Sequence, residues 1–175
     1  VPRAWGVATF GPAASYRGRR GASIDVQMAA GFELDSKRHQ PEAVHAILGR
    51  LHGDYAGGLL SLHTGAGKTV IATYLIAQLK LKTLILVHKT FLVNQWQERL
   101  QTFLPGVRIG RIQGQTCDVE CDVCIATIQS VAQKEYGAAL DGFGLLFIDE
   151  CHVICTRVFC KALEKAQTRF MVGLS

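Results

Sequence analysis

The sequence predicts an α/β domain with a mostly parallel central sheet and helices on both faces. Three observations predict it. Short apolar runs recur at residues 57–62, 83–87, 123–126, 144–148 and 170–174, a length that suits strands buried on both faces. Stretches with helical spacing lie between them. A glycine-rich turn at residues 63–69 joins the first run to the helix behind it. In that order, strand, glycine loop and helix turn backbone N–H groups and a helix N-terminus toward one point, which suits a phosphate.

Taken in order, residues 1–35 carry little periodicity, five glycines and two prolines, and predict an irregular N-terminal extension with short strands. Arg17, Arg19 and Arg20 read as a solvated arm within it. The domain proper is expected over residues 36–175. Asp35 and Ser36 offer helix-cap chemistry, and Ala43, Val44, Ile47, Leu48 and Leu51 mark an amphipathic helix over 40–51. Glycines at 53, 57 and 58 break the chain before the first core strand. A helix follows the glycine loop over 70–79, then a buried strand over 83–87. Residues 90–104 form the next helix, with Leu92, Trp96, Leu100 and Phe103 along one face and Trp96 as a core anchor. Pro105 and Gly106 end it. Short strands are expected at 107–112 and 123–126, a helix from 128 to 133, a buried strand over 144–148, a helix over 158–166 and a strand over 170–174. Ligands of such sheets sit at the carboxyl ends of the strands. The glycine loop and the pair Asp149-Glu150 both lie at such ends, so they can meet in space.

Composition narrows the class. Apolar residues make up 49% of the chain, which excludes a disordered protein, and no run approaches 18 apolar residues, so no membrane partner is expected. The net charge of +5 favours a polyanionic partner. The chain starts without Met or an apolar signal segment and stops in a strand, so both ends read as cuts from a longer chain. The six cysteines include the spacing Cys117-x3-Cys121-x2-Cys124, which a zinc site could use. Cys124 falls in an apolar strand pattern, however, and the set reads as reduced thiols of an intracellular protein, with no zinc and no disulfide.

The chemistry of the two motifs is explicit. A lysine at position 68 can reach β- and γ-phosphates, and the Thr69 hydroxyl can hold Mg²⁺. The general form of this loop places its first glycine where Leu62 stands; Gly65 lies inside the loop instead. Asp149 suits Mg²⁺ through its waters, and Glu150 suits the water that attacks the terminal phosphoryl group.

Asp149-Glu150-Cys151-His152 is a DExH box, residues 63–69 fit the matching nucleotide motif, and Gly173-Leu174-Ser175 resembles the opening of the Ser-Ala-Thr motif. Together they resemble the N-terminal RecA-like motor domain of superfamily 2 helicases over residues 32–175. The XPB/UvsW-like group, including versions in large DNA viruses, is closest in flavour. The resemblance implies a RecA-like P-loop NTPase fold that uses ATP and Mg²⁺. It implies Lys68, Asp149, Glu150 and His152 as catalytic residues, and Thr69 and Asp149 as metal ligands. Nucleotide contacts fall to Arg38, Gln40, His63, Thr64, Gly65, Ala66, Gly67, Lys68 and Thr69, with Gln40 reading the adenine edge. Nucleic-acid backbone contacts fall to Lys89, Arg111, Gly114, Thr127, Gln129 and Ser130. Residues 87–96 resemble the motif that follows the second core strand, with its usual Pro-Thr replaced by His88-Lys89. The implied function is a nucleic-acid-dependent ATPase motor, a DNA helicase acting with a second RecA-like domain of the same full-length chain. Its partner is DNA, single-stranded or duplex, rather than RNA. A duplex translocase of the restriction or remodelling type and an ATPase-dead binding module are the alternatives.

Overall fold

Strands buried on both sides call for near-continuous apolar runs, and this chain supplies three. The computed structural model describes residues 20–52, 56–153 and 156–175. Among these residues seven strands form one sheet: β1 Gly57–Leu60, β2 Thr83–Val87, β3 Ile109–Gln113, β4 Thr116–Cys117, β5 Val123–Thr127, β6 Leu145–Ile148 and β7 Phe170–Leu174. Their order is β1-β7-β6-β2-β5-β3-β4. Every neighbouring pair is parallel except β3 with β4. Every residue of β2, β5 and β6 is buried.

Among the described residues five α-helices cover the sheet: α1 Gln40–His52, α2 Lys68–Leu79, α3 Thr90–Phe103, α4 Ile128–Gln133 and α5 Arg157–Lys165. The period-two alternation of the strands sorts them into two layers. Ile85, Val87, Ile125 and Phe147 pack with α1, α2 and α3. Leu84, Leu86, Cys124, Leu146 and Ile148 pack with α4 and α5. The expected fold class is the observed one.

The expected elements recur within a residue or two. Four short features were not expected: the 3₁₀ turns Ser36–Arg38 and Cys151–Val153, a two-residue strand and a further 3₁₀ turn. Strand β4 pairs with β3 through Ile112–Cys117 and Gln113–Thr116 across a turn with Gly114 at φ +56°. Two residues are too few to leave a periodic signal. A 3₁₀ turn at Gly137–Leu140 precedes β6.

Among residues 20–35, Ser23 makes an isolated antiparallel bridge to Leu81, and Ile24 and Val26 are buried in the α1–α3 layer. Arg20 is exposed; Arg17 and Arg19 lie outside the described residues. The segment runs backbone to backbone against the entry to β6, where Ala22 N–H donates to Gly142 O at 2.7 Å. A Cβ at Gly144 would lie 2.6 Å from Arg20 O and 2.9 Å from Gly21 Cα. Gly144→Ala is therefore expected to destabilise the fold by about 1–3 kcal/mol, as overpacking does. Urea unfolding of both proteins measures it, and an unchanged midpoint would show that the segment is not seated there.

Cys121 and Cys124 are buried, with both Sγ atoms near Asp118 O at 3.9 and 3.6 Å. Cys117 and Cys160 are exposed, and Cys155 lies outside the described residues. Among the described residues no helix is long and apolar enough to cross a membrane.

Candidate active site

The glycine loop leaves β1 at the carboxyl edge of the sheet. Gly65 and Gly67 take φ of +85° and +90°, conformations that cost glycine little and a side-chain-bearing residue more. Gly67 is also held to glycine by space, because a Cβ there would run into Gln40 Nε2. Lys68 opens α2, and its Nζ donates to Leu62 O at 2.9 Å, which keeps the ammonium within the loop.

The segment ahead of α1 clamps this loop from outside. Asp35 caps the turn Ser36–Arg38 by accepting from Lys37 N–H. Arg38 Nε pairs with Asp35 Oδ2 at 3.1 Å, and Arg38 Nη1 donates to Gly65 O at 2.9 Å. Gln40 is 4% exposed; its Oε1 accepts from Asp35 N–H and its Nε2 donates to Ala66 O at 3.0 Å. Gln40 braces the loop, since burial obliges both amide groups to find partners. Arg38 lines the cleft; His63 and Thr64 lie exposed on the loop.

The acidic pair approaches from β6. Asp149 N–H donates to Leu86 O, which carries the sheet ladder one residue beyond the strand. Glu150 then turns the chain with φ +50°, a left-handed conformation that costs a residue with a side chain about 1–2 kcal/mol. Asp149 Oδ2 accepts from Trp96 Nε1 at 2.8 Å, and its Oδ1 accepts from Glu150 N–H at 3.1 Å. His152 Nδ1 stands 3.4 Å from Glu150 Oε2 and 2.9 Å from Ser175 Oγ. Ser175 extends β7 and pairs with Leu62 at the loop's entrance. Strand β7 thus lies between the loop-bearing β1 and the acid-bearing β6, and His152 links its end to the acidic turn.

A cleft of about 580 Å³ joins the two motifs, lined by Arg38, Gly65, Lys68, Thr69 and Glu150. Val70 and Phe103 add apolar lining, and two further polar residues line it that the sequence did not point to, Gln95 and Arg99 of α3. They lie one turn apart, but nothing in the local pattern says that this face of α3 borders the loop. Arg99 makes no hydrogen bond or ion pair among the described residues.

Burial raises the Asp149 pKa above its ordinary 3.8; the Trp96 hydrogen bond opposes the rise, the Glu150 charge adds to it, and the His88 ring lowers it slightly. His88 Nδ1 is itself buried without a hydrogen-bond partner among the described residues. Because folding raises this pKa, ionising Asp149 costs stability. That cost is absent below pH 3.8 and complete above the raised value.

The residues expected to touch nucleic acid divide. Thr127 and Ser130 are 6% and 8% exposed. Thr127 Oγ1 donates to Ser130 Oγ, which accepts from Gly114 N–H at 2.9 Å. These hydroxyls tie the β3–β4 turn to the start of α4, because buried hydroxyls at this crossing need partners. Gln129 faces solvent, and Lys134 donates to Gly114 O. Arg111 Nη2 donates to Asn94 Oδ1 and Gln97 Oε1 of α3 at 3.0 and 2.8 Å. Lys89 is exposed at the start of α3.

With this geometry in place, comparison with known proteins decides the family. The sequence matches the family described as "Type III restriction enzyme, res subunit" over residues 33–175. The chain belongs to that family, as a helicase-family ATPase motor domain. It is 33% identical over 120 residues to "Putative ATP-dependent RNA helicase L396" of Acanthamoeba polyphaga mimivirus, covering 68% of this chain and 23% of that protein. It is 32% identical over 143 residues to "Putative ATP-dependent RNA helicase QP509L" of African swine fever virus, covering 78% and 28%. The motor domain therefore spans about a quarter of the length of these relatives. Its fold matches the crystal structure of bacteriophage T4 UvsW with a TM-score of 0.65 at 22% identity, over 87% of this chain and 32% of that one. It also matches the Sulfolobus solfataricus SWI2/SNF2 ATPase core in complex with dsDNA, at 0.67 and 18%, over 90% and 34%. These likenesses establish the RecA-like fold.

Two outcomes are expected of the motor domain's unforeseen contacts. Arg99→Ala should weaken ATP binding about tenfold, the worth of one hydrogen bond to a charged group, and Arg99→Lys should recover part of the loss. Titration calorimetry reads it, and equal affinities would make Arg99 a solvated surface cation. Trp96→Phe removes the N–H that holds Asp149 toward its ionised form. The acid limb of ATPase activity should then move to higher pH, and an unmoved pH profile would show that the contact does not govern Asp149.

Proposed function

We propose that this motor domain binds ATP with Mg²⁺ and hydrolyses it to drive a DNA helicase, acting with a second RecA-like domain of the same protein. The observation that carries the reading is the single cleft lined by both Lys68-Thr69 and Glu150. The working unit is residues 36–175, with residues 1–35 as an extension of it.

The residues fit Mg²⁺ by donor chemistry. Thr69 offers a hydroxyl and Asp149 a carboxylate, hard oxygen ligands of the kind Mg²⁺ prefers. Each Asp149 oxygen receives one hydrogen bond and keeps a lone pair. Bound Mg²⁺ would neutralise charge on the β- and γ-phosphates. The loop N–H groups, the N-terminus of α2 and Lys68 hold the phosphates. Glu150 orients a water in line with the γ-phosphorus and accepts its proton as the new P–O bond forms. The bond from γ-phosphorus to the bridging oxygen breaks, and ADP leaves with that electron pair. His152, between Glu150 and Ser175, sets the carboxylate's direction. The intact set Lys68, Thr69, Asp149 and Glu150 speaks against an ATPase-dead module.

The second reading is a duplex translocase without strand separation. The restriction-enzyme family match and the likeness to a core solved on dsDNA favour it. The test is ATPase activity of the full-length protein with single-stranded DNA, duplex DNA or RNA, followed by strand-displacement and triplex-displacement assays. DNA stimulation with strand displacement is expected. Triplex displacement alone selects the translocase, stimulation by RNA alone overturns the choice of DNA, and turnover indifferent to nucleic acid overturns the motor reading.

A further inference from the structure

Phe91 is 61% exposed and belongs to neither apolar layer. A large aromatic ring left in water is informative when it stands where a ligand passes. Phe91 lies in the first turn of α3, four residues beyond the end of β2. In the sheet, Val87 of β2 pairs with Thr127 of β5, and Ala126 of β5 with Ile112 of β3. The chain therefore leaves β2 at 88–91, β5 at 128–130 and β3 at 114 side by side, on the edge that also carries Lys89, Gln129 and Gly114. Lys89 Nζ stands 5.9 Å from the centre of the Phe91 ring. One turn along α3, Asn94 accepts from Arg111. The edge thus presents an aromatic face with a cation beside it.

That pairing has a specific use. A nucleic-acid base stacks on an aromatic ring whatever its identity, and an adjoining ammonium meets the phosphate of the same nucleotide. Bases inside a duplex are already stacked on each other and cannot reach such a ring. We propose that Phe91 is a stacking platform for an unpaired base of a single-stranded nucleic acid, with Lys89 on the adjoining phosphate. The inference rests on the proposed nucleic-acid motor and narrows its substrate at this edge to single strands. Hydrolysis chemistry and phosphate-backbone contacts would not by themselves require it.

The test is fluorescence anisotropy of the full-length protein with labelled twelve-nucleotide strands: oligo(dT), oligo(U), a strand with abasic sites throughout, and a dT·dA duplex. Phe91→Ala should weaken oligo(dT) and oligo(U) by about 5- to 150-fold, the range set by loss of one stacked base. Its affinity for the abasic strand and the duplex should not move, and Phe91→Tyr should restore binding. Lys89→Ala should lower the slope of log affinity against log salt by about 0.7, which Phe91→Ala should leave alone. Unaltered ATP affinity in each variant confirms that the fold is kept. Equal oligo(dT) binding by wild type and Phe91→Ala, or an equal loss on the abasic strand, would overturn the inference while leaving the motor reading in place; the ring would then serve a protein contact. Wild-type protein that binds none of the four would overturn both.

Discussion

Lys68→Ala is expected to lower ADP affinity by about 10- to 150-fold, the worth of one hydrogen bond to a charged group at about 1.5–3 kcal/mol. The fold should survive. Lys68 is the first residue of α2, alanine is the best helix former, and no core residue depends on its side chain. The ammonium gives up a hydrogen bond to Leu62 O, which lies at a half-buried position. What is lost is the charge that the loop holds near its own N–H groups. Titration calorimetry with ADP and Mg²⁺, beside circular dichroism of both proteins, measures the two halves of the expectation. Unchanged affinity in a folded variant would remove Lys68 from the phosphate site. Lost affinity together with a lost fold would give the residue a structural role instead.

Glu150→Gln is expected to lower turnover by about 10²–10⁴-fold, the usual contribution of a positioned general base. Nucleotide affinity should stay close to that of the wild type. Glutamine keeps the size of the side chain and an oxygen that can face His152 Nδ1, but it cannot accept the water's proton. It also inherits the left-handed turn at φ +50°. A conformation of that cost at the residue proposed as the base suits a structure that holds it for function. Single-turnover phosphate release by the full-length protein, with ATP binding measured in parallel, separates chemistry from affinity. Wild-type turnover in Glu150→Gln would hand the base to another group, and a parallel loss of ATP binding would make Glu150 a binding residue.

Much of the fold was legible because parallel strands buried on both faces leave uninterrupted apolar runs. Thr83–Val87 and Leu145–Ile148 stand out for that reason. The helices were legible from spacing and from stops such as Pro105-Gly106. Strand β4 was not, because two residues on an exposed edge carry no period. Trp96 shows a halfway case. Its apolar spacing marks a buried anchor, and it is 2% exposed, but the destination of its N–H depends on a residue 53 positions away.

The candidate site divides in the same way. The glycine loop and the acidic pair are local chemistry: adjacent residues whose types alone say phosphate and metal, so the sequence by itself determined both and the α/β class that carries them. Tertiary structure decided that β7 stands between β1 and β6, which brings residues 68 and 150 to one cleft. It turned Gln40 beneath the loop, buried Thr127 and Ser130 in a hydrogen-bonded tie, brought Arg99 to the cleft and left Phe91 in solvent. Each of these depends on which elements become neighbours and on which buried polar groups must find partners there. A periodic pattern records which face of an element is apolar; it does not record what that face will meet.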